Sequence, residues 1–141
     1  MTLRPHITMV TLGVADVARS TRFYEALGWE TSSASNPRIS FFKLNGTKLA
    51  LFHRDALAED AGVPALAPPG GITLSHNLES EAEVDTAYWH ALGAGARPVK
   101  EPVKAPWGGY SATFADPDGH LWELAFNPFA PSDETGHMVL P

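Results

Sequence analysis

The sequence of 141 residues contains no cysteine. This absence excludes disulfide bonds, zinc sites built from thiolates and cysteine nucleophiles. Because proteins of oxidising compartments commonly rely on disulfides, the absence favours a reducing compartment, and we expect a cytoplasmic protein.

Long apolar runs and an excess of positive charge are also missing. No apolar run reaches the ~18 residues that a membrane-spanning helix needs, and the chain does not open with a charged segment followed by an apolar one. We therefore expect neither a membrane span nor such an export signal. The 10 Lys and Arg residues against 16 Asp and Glu give a net charge of −6, which argues against nucleic-acid binding because that requires a basic surface.

A repeated six-residue segment is the most informative feature that is present. It reads Phe-Tyr-Glu-Ala-Leu-Gly at Phe23–Gly28 and Tyr-Trp-His-Ala-Leu-Gly at Tyr88–Gly93. The aromatic pair and the leucine lie on one helical face, and the glycine is expected just past the helix end, where a left-handed backbone is needed. Asp16 precedes the first predicted helix, and Ser80 with Glu83 forms a capping box at the second. The pattern predicts an internal duplication.

Strand signals surround each predicted helix in the same order. One apolar strand precedes the helix, and two or more antiparallel strands follow it. Asn45-Gly46 between two apolar runs predicts a tight hairpin turn in which both residues have positive φ. The predicted strands are 8–14, 39–44 and 48–53 in the first half, and 71–76, 110–114 and 120–126 in the second. Neither half can bury both faces of its sheet alone.

The composition predicts one domain, 1–141, made of two halves. The first half spans 7–53 and the second 71–127, and the 44% apolar content supplies a core. Proline and glycine in 54–70 predict a linker, and those in 128–141 predict an irregular tail.

Two segments carry a resemblance to a known family. Thr11–Ser20, followed by the aromatic pair of the first helix, and Phe114–Leu124 resemble the vicinal-oxygen-chelate superfamily. This superfamily contains glyoxalase I, extradiol dioxygenases, fosfomycin-resistance enzymes and bleomycin-resistance proteins. The resemblance implies an α+β fold of two tandem βαβββ modules, the glyoxalase/bleomycin-resistance/dioxygenase fold, whose sheets curl into an open cup, and it implies a homodimer.

The resemblance also implies four positions for the ligands of a divalent metal. They fall at Met9, at Leu51 within a residue, at Gly71 and at Glu123. Only Glu123 carries a donor suited to such an ion, because thioether, aliphatic and glycine side chains do not ligate it. We therefore expect no metal site and no cofactor.

Glu123 is the strongest candidate for a functional residue. It would act as a general base or as the anchor of a cationic or hydroxylated ligand, and the structural alternative is a carboxylate paired with a nearby Lys or Arg. His53 lies two residues from Leu51, so strand alternation places both on the same, concave face. His53 is the candidate acid–base partner of Glu123, and an exposed histidine without a role is the alternative.

The remaining predicted ligand contacts lie on strands and at one loop. Trp107 and Tyr110 flank two glycines in a sharply turned or mobile segment, and their rings would stack on a planar ligand unless they seal the core or a dimer contact. The turn 116–119 is structural, with Gly119 in a left-handed conformation. The aromatic residues Phe23, Tyr24, Tyr88, Trp89 and Trp122 are expected to pack in the core. The other predicted ligand-binding residues are Met9, Thr11, Leu51, Thr73 and Ser75.

Two functions follow from these residues. The first is a metal-free protein that binds and sequesters a drug or metabolite, and it is favoured by the missing metal ligands. The second is a lyase, isomerase or dioxygenase that uses Glu123 with His53, with or without a divalent metal. An interaction domain whose dimer surface is its function is a third reading. A small molecule and a second copy of the chain are the expected partners.

Overall fold

The computed structural model describes residues 1–140, which divide into two compact units. The first unit is Met1–Ala67 and the second begins at Pro68. The boundary falls inside the segment 54–70, where the sequence predicts a linker. None of the helices in the described chain has the length and apolar character that crossing a membrane requires.

The first unit contains three strands and two helices. They are β1 (Met9–Val14), α1 (Val17–Ala26), β2 (Ile39–Phe42), β3 (Lys48–His53) and α2 (Arg54–Ala61). The strand order in the sheet is β1-β3-β2, with β1 parallel and β2 antiparallel to β3. A parallel pair requires a crossover, which α1 with the following chain supplies.

The second unit contains four strands and one helix. They are β4 (Thr73–Asn77), α3 (Glu81–Gly93), β5 (Arg97–Lys104), β6 (Tyr110–Ala115) and β7 (Leu121–Phe126). The strand order is β4-β7-β6-β5, and only β4 and β7 pair in parallel. This unit is a complete βαβββ module. The first unit, Met1–Ala67, has no full strand in the place that β5 takes after the helix of the second unit. One antiparallel bridge between Thr31 and Phe42 lies there instead. The predicted α+β class is confirmed.

One face of each sheet is covered by its crossover helix. In the first unit, Tyr24 of α1 is fully buried and contacts Phe42 edge-on, and Thr21 of α1 shares a 2.7 Å hydrogen bond with Ser40 of β2. In the second unit, the buried residues of α3 are Val84, Tyr88 and Ala91, and the sheet residues beneath it are Ala112, Phe114, Trp122 and Leu124. Burial of these apolar side chains stabilises each unit.

The helix ends confirm one half of the glycine prediction and correct the other. Gly28 has φ +108° directly after the C-cap of α1, and the Trp29 N–H donates to the Tyr24 carbonyl. The same hydrogen-bond pattern ends α3, but its left-handed residue is Gly95, with φ +112°. Gly93 is the last helical residue and does not have positive φ, so the prediction that it lies past the helix end in a left-handed conformation is wrong. The helix is extended by two residues before the same cap forms.

The helix starts agree with the sequence. The Asp16 carboxylate accepts from the Arg19 N–H at 3.0 Å, and the Ser80 hydroxyl accepts from the Glu83 N–H at 3.1 Å. The Glu83 carboxylate in turn accepts from the Glu79 N–H at 2.9 Å. These side chains satisfy backbone donors that an α-helix leaves without partners.

Two elements lie where the sequence predicts none. The predicted linker begins with α2, whose N-cap is His53 and whose C-cap is Gly62. The strand β5 contains Pro98 and Pro102, which argue against a strand in the middle of a sheet. Proline is tolerated here because β5 is the edge strand, which has β6 as its only neighbour.

Two local predictions are wrong. The strand β2 ends at Phe42 and β3 begins at Lys48, so the connection between them is a loop over residues 43–47. Gly46 has φ +69° and Asn45 does not have positive φ, which excludes the two-residue turn. Trp89 is 60% exposed, because it follows the buried Tyr88 on α3 and points away from the sheet.

Candidate functional site

The strand register defines the face of the first sheet that is opposite α1. We call it the first distal face. Leu51 is paired with Leu12 and is fully buried on the α1 side. The prediction that Leu51 shares a face with Met9 and Thr11 is wrong, because a shift of one residue along a strand reverses the face and Leu51 pairs with Leu12 and Ser40. The residues of the first distal face are Met9, Thr11, Gly13, Ile39, Phe41, Lys48, Ala50 and Phe52.

The first distal face is mainly apolar. Thr11 is its one hydroxyl, and Ala50, which pairs with Thr11, is fully buried. A Cβ on Gly13 would lie 2.8 Å from the Leu66 side chain and 3.3 Å from Cβ of Arg54, so α2 and the segment after it cover this end of the face. The fourth-strand metal position implied by the resemblance therefore falls at Ala50 or Phe52. Neither residue is a metal ligand.

His53 has a structural contact at the start of α2. Its Nδ1 accepts from the Asp55 N–H at 3.3 Å, and the Asp55 carboxylate is 4.0 Å from the same atom. His53 also lines a cavity of about 400 Å³, together with Asp16 and Arg38. His53 pairs with Val14, on the same side of the sheet as Leu51 and not on the first distal face. Its predicted partnership with Glu123 stays a prediction.

The second sheet also has a face opposite its helix, which we call the second distal face. The hydrogen bond from Tyr110 to Asp85 of α3 shows which face the helix covers, and Glu123 lies on the other one. Ser75, Glu123 and Thr113 are paired in register across β4, β7 and β6. The residues of the second distal face are Thr73, Ser75, Asn77, Arg97, Lys100, Val103, Ser111, Thr113, Ala115, Leu121, Glu123 and Ala125.

Glu123 lies at the centre of a polar row on this face. Its side chain is half-buried, and its Oε1 accepts from the Ser75 hydroxyl at 3.1 Å. Ser75 is exposed on the edge strand β4, and Thr113 is half-buried on the opposite side of Glu123. A carboxylate has about four acceptor positions, so one hydrogen bond leaves most of its capacity for a ligand. Thr73 is the exposed first residue of β4 and pairs with Leu121, one row away.

Lys100 continues the row on β5. It pairs with Thr113, and its ammonium group donates to the Ser111 hydroxyl at 3.4 Å. Ser111 is 1% exposed, and Lys100 itself is exposed. Sequence reasoning missed Lys100 because it did not predict β5, and it did not single out Thr113 although 110–114 is a predicted strand. The available signal was that all Lys and Arg residues after position 67 fall within 97–104.

Tyr110 does not lie on the same face as Glu123. Its hydroxyl donates to the Asp85 carboxylate at 2.7 Å, and this hydrogen bond, with a smaller effect of burial, raises the pKa of Tyr110. Tyr110 pairs with Phe126 on the side of the sheet that α3 covers. This placement corresponds to the structural alternative and does not support a ligand contact beside Glu123.

Trp107 is held in the turn between β5 and β6. The Gly108 N–H donates to the Ala105 carbonyl at 3.0 Å, and the Ala105 N–H donates to the Gly109 carbonyl at 2.8 Å. The indole lies directly over Gly109, where a side chain would clash with it, and Phe129 of the tail lies over Gly108 in the same way. The turn is therefore sharply folded, as one of the two readings predicted, and Trp107 remains 48% exposed.

Two further polar residues have structural placements. Asp116 is 2% exposed and accepts from the N–H groups of Asp118 and His120 at 2.9 Å each, and Gly119 has φ +94°. This arrangement confirms the predicted turn. His76 lies on the α3 side of β4, and burial lowers the pKa of its imidazole.

The residues around Glu123 do not fit a divalent metal ion. Its neighbours across the strands are Ser75 and Thr113, and the ammonium group of Lys100 on the same face would repel a cation. Gly71, at the position implied for the second module, offers no side chain. Within residues 1–140, no group of three or more His, Asp or Glu side chains is arranged to hold a metal.

Comparison with known proteins identifies the family. A model of the Glyoxalase/Bleomycin resistance protein/Dioxygenase superfamily matches residues 6–124. The chain belongs to this superfamily. The match covers both units and confirms the resemblance based on Thr11–Ser20 and Phe114–Leu124. No curated protein sequence matches the chain.

Solved structures of the same fold extend this result. A glyoxalase-related enzyme from Fulvimarina pelagi is 37% identical, with a TM-score of 0.91 over 97% of this chain and 99% of that one. A glyoxalase/bleomycin resistance protein/dioxygenase from Nocardioides is 32% identical, with a TM-score of 0.75 over 89% and 85%. A lactoylglutathione lyase from Agrobacterium tumefaciens is 22% identical, with a TM-score of 0.68 over 89% and 96%, which shows a shared fold alone.

Proposed function

We propose that this protein binds a small organic molecule on the second distal face, with Glu123 as the anchor and without a metal ion. The observation that carries the proposal is the polar row of Ser75, Glu123 and Thr113. In this row, a half-buried carboxylate makes one hydrogen bond to a hydroxyl. A carboxylate in such a setting favours a ligand that carries a protonated amine or a hydroxyl group.

The surroundings of Glu123 support binding more than packing. Partly buried carboxylates rarely contribute to a core by packing alone, and no Lys or Arg of the described chain forms an ion pair with Glu123. The structural alternative of a salt-bridged carboxylate therefore lacks its partner. The hydroxyls of Ser75 and Thr113 add hydrogen-bonding groups on either side, and Thr73 extends the face by one row.

The predicted contacts of the first unit, Met9 and Thr11, stay predictions. Both lie on the first distal face of their own unit, where Met9 is exposed and Thr11 is half-buried. Trp107 is the remaining exposed aromatic contact. We leave Leu51 and Tyr110 out of the proposed ligand contacts because each lies on the helix-covered face of its own sheet.

Proton transfer by Glu123 is a second candidate function. It is favoured by the similarity to the Fulvimarina pelagi protein, which is described as a glyoxalase-related enzyme and is 37% identical. In this case the carboxylate of Glu123 would take a proton from a bound substrate, with the Ser75 hydroxyl orienting it at 3.1 Å. His53 is not needed for this step.

A thermal-shift screen of a metabolite and antibiotic panel tests the binding proposal. The protein is first treated with a chelator, and a ligand is expected to raise the melting temperature in a concentration-dependent way. The same ligand should produce a much smaller shift with Glu123→Gln, and an unchanged shift with Glu59→Gln, which removes an exposed charge from α2. If no compound shifts the chelated protein, or if Glu123→Gln responds like the parent, the proposal is wrong.

A further inference from the structure

A positive and a negative side chain lie on the second distal face without pairing with each other. The Glu123 carboxylate interacts with Ser75 on β4, and the Lys100 ammonium interacts with Ser111 on β6. No ion pair joins Lys100 to Glu123 among residues 1–140. Each charge instead has a single hydroxyl neighbour, which leaves hydrogen-bonding capacity on both groups.

The strand register gives the distance between the two charges. Lys100 and Glu123 lie on β5 and β7, which are separated by β6, so their backbones are two strand spacings, or about 10 Å, apart. The Ser111 hydroxyl accepts the hydrogen bond from the Lys100 ammonium group. Ser111 is a diagonal neighbour of Glu123, and such residues are about 7–8 Å apart. The carboxylate leans the other way, toward β4. The two charges are therefore on the order of 8–10 Å apart.

The direct attraction between the charges is too weak to close this gap. At this separation in water, the attraction between two unit charges is weaker than the side-chain entropy that a long lysine loses when it is held in one conformation. Both groups therefore stay available to a third molecule. Thr113 lies between them in the row and adds a hydroxyl to the gap.

The positively charged residues of this sheet lie on one edge strand. Arg97, Lys100 and Lys104 are the Lys and Arg residues after position 67, and all three are on β5. Lys104 lies on the α3 side and pairs with Glu81, whereas Arg97 and Lys100 pair with β6 residues of the second distal face. This face thus has a negative centre and a positive edge.

We infer that the ligand of this site is a small zwitterion, with a protonated amine at Glu123 and a carboxylate at Lys100. This inference rests on the proposed function and adds the chemical class of the ligand. Charge-assisted hydrogen bonds at both ends are the strongest that the face can form, and the separation of the two groups favours a ligand of matching length.

Titration with ω-amino acids of increasing length tests the inference. The series is 4-aminobutanoate, 6-aminohexanoate and 8-aminooctanoate, with the amine and the carboxylate of matched length as single-ended controls. Affinity, measured by calorimetry or NMR, should be highest for the member whose charged ends span about 8–10 Å. That member should bind about tenfold more tightly than either single-ended control.

Charge-neutral variants show which residue recognises which end. Lys100→Gln should lower the affinity of the best amino acid to that of the matched amine, and Glu123→Gln should lower it to that of the matched carboxylate. Lys104→Gln is the control, since it removes the same charge from the same strand on the opposite face. The melting temperature of each variant verifies that it folds.

The possible outcomes separate this inference from the proposed function. If the amino acids bind no better than the matched amine, or fail to bind, the zwitterion inference is wrong, whatever the thermal-shift screen finds. The same holds if Lys100→Gln and Lys104→Gln behave alike. If a screen ligand binds equally well to the parent and Glu123→Gln, the proposed function itself is wrong.

Discussion

The two sheets are alike on the face that the helix covers and different on the distal face. Beneath α1 and α3, both sheets bury large apolar side chains, and both helices end in the same hydrogen-bond pattern at Gly28 and Gly95. On the distal faces, the first sheet is mainly apolar, whereas the second has the polar row of Ser75, Glu123 and Thr113.

This difference indicates that the distal face of a duplicated module can vary more than the face that the helix covers. Helix-covered faces are constrained because interior packing is dense and each lost methylene group costs stability. Side chains on a distal face are constrained less by their own module. The second module has polar and charged groups on this face, and its core beneath α3 is intact. Specific substitutions test this division between the two faces.

The largest effect on stability is expected for Leu51→Ala. Leu51 is fully buried beneath α1, and truncation of such a leucine costs about 2–5 kcal/mol of unfolding free energy. Urea unfolding of this variant, compared with Thr11→Ala from the first distal face, measures the difference. A destabilisation equal to that of Thr11→Ala would contradict the assignment of Leu51 to the helix-covered face.

A clear but smaller effect is expected for Gly109→Ala. An added methyl group would clash with the Trp107 ring and lie 2.7 Å from the Phe126 carbonyl oxygen, which is backbone and cannot move freely. Overpacking of this kind costs about 1–3 kcal/mol. The expected result is a lower unfolding midpoint together with a red-shifted Trp107 fluorescence, and Gly71→Ala, which has open space around it, is the control. Equal midpoints for the two variants would show that Trp107 does not pack on Gly109.

The two glycines of the repeated segment should respond with opposite signs. Gly28→Ala forces alanine into a left-handed conformation with φ +108° and should cost about 1 kcal/mol. Gly93→Ala replaces a helical glycine with open space around it and should stabilise by about 0.5 kcal/mol. Melting temperatures of both variants measure this contrast. Destabilisation by Gly93→Ala would mean that the first cap is repeated at the same position.

The smallest effect is expected from His76 and depends on pH. Burial lowers the pKa of His76 in the folded chain below the ordinary 6.5, so the unfolded chain takes up the proton first as the pH falls. The neutral form stabilises the fold above about pH 6.5, and this contribution is lost as the pH decreases toward the folded-state pKa. Urea midpoints at about pH 7.5 and pH 5.5 should therefore decrease less for His76→Gln than for the parent or for His6→Gln. Equal decreases would exclude this role.

The sequence predicted the elements whose signals are local. The caps at Asp16 and Ser80, the left-handed Gly28 and the β6–β7 turn all depend on residues within a few positions, and the structure agrees with each. The edge strand β5 was missed because Pro98 and Pro102 are poor strand residues, and only its place at the edge makes them acceptable.

The site residues could be predicted where the sequence shows which face of the strand each side chain is on. Glu123 alternates with Trp122, whose packing beneath α3 leaves Glu123 on the distal face. The prediction for Leu51 is wrong because the resemblance locates the metal position on this strand only within a residue, and a shift of one residue reverses the face. The clustering of Lys and Arg within 97–104 marks Lys100 in the sequence, but its pairing with Thr113 follows register shifts in β5 that no local pattern indicates.

Calorimetric titration of the best screen ligand into chelator-treated protein tests the central claim most directly. Binding should occur without added metal, should not strengthen when Zn²⁺, Ni²⁺ or Mn²⁺ is supplied, and should weaken by about tenfold or more in Glu123→Gln. Binding that appears only with a divalent ion, or that Glu123→Gln leaves unchanged, would contradict the account.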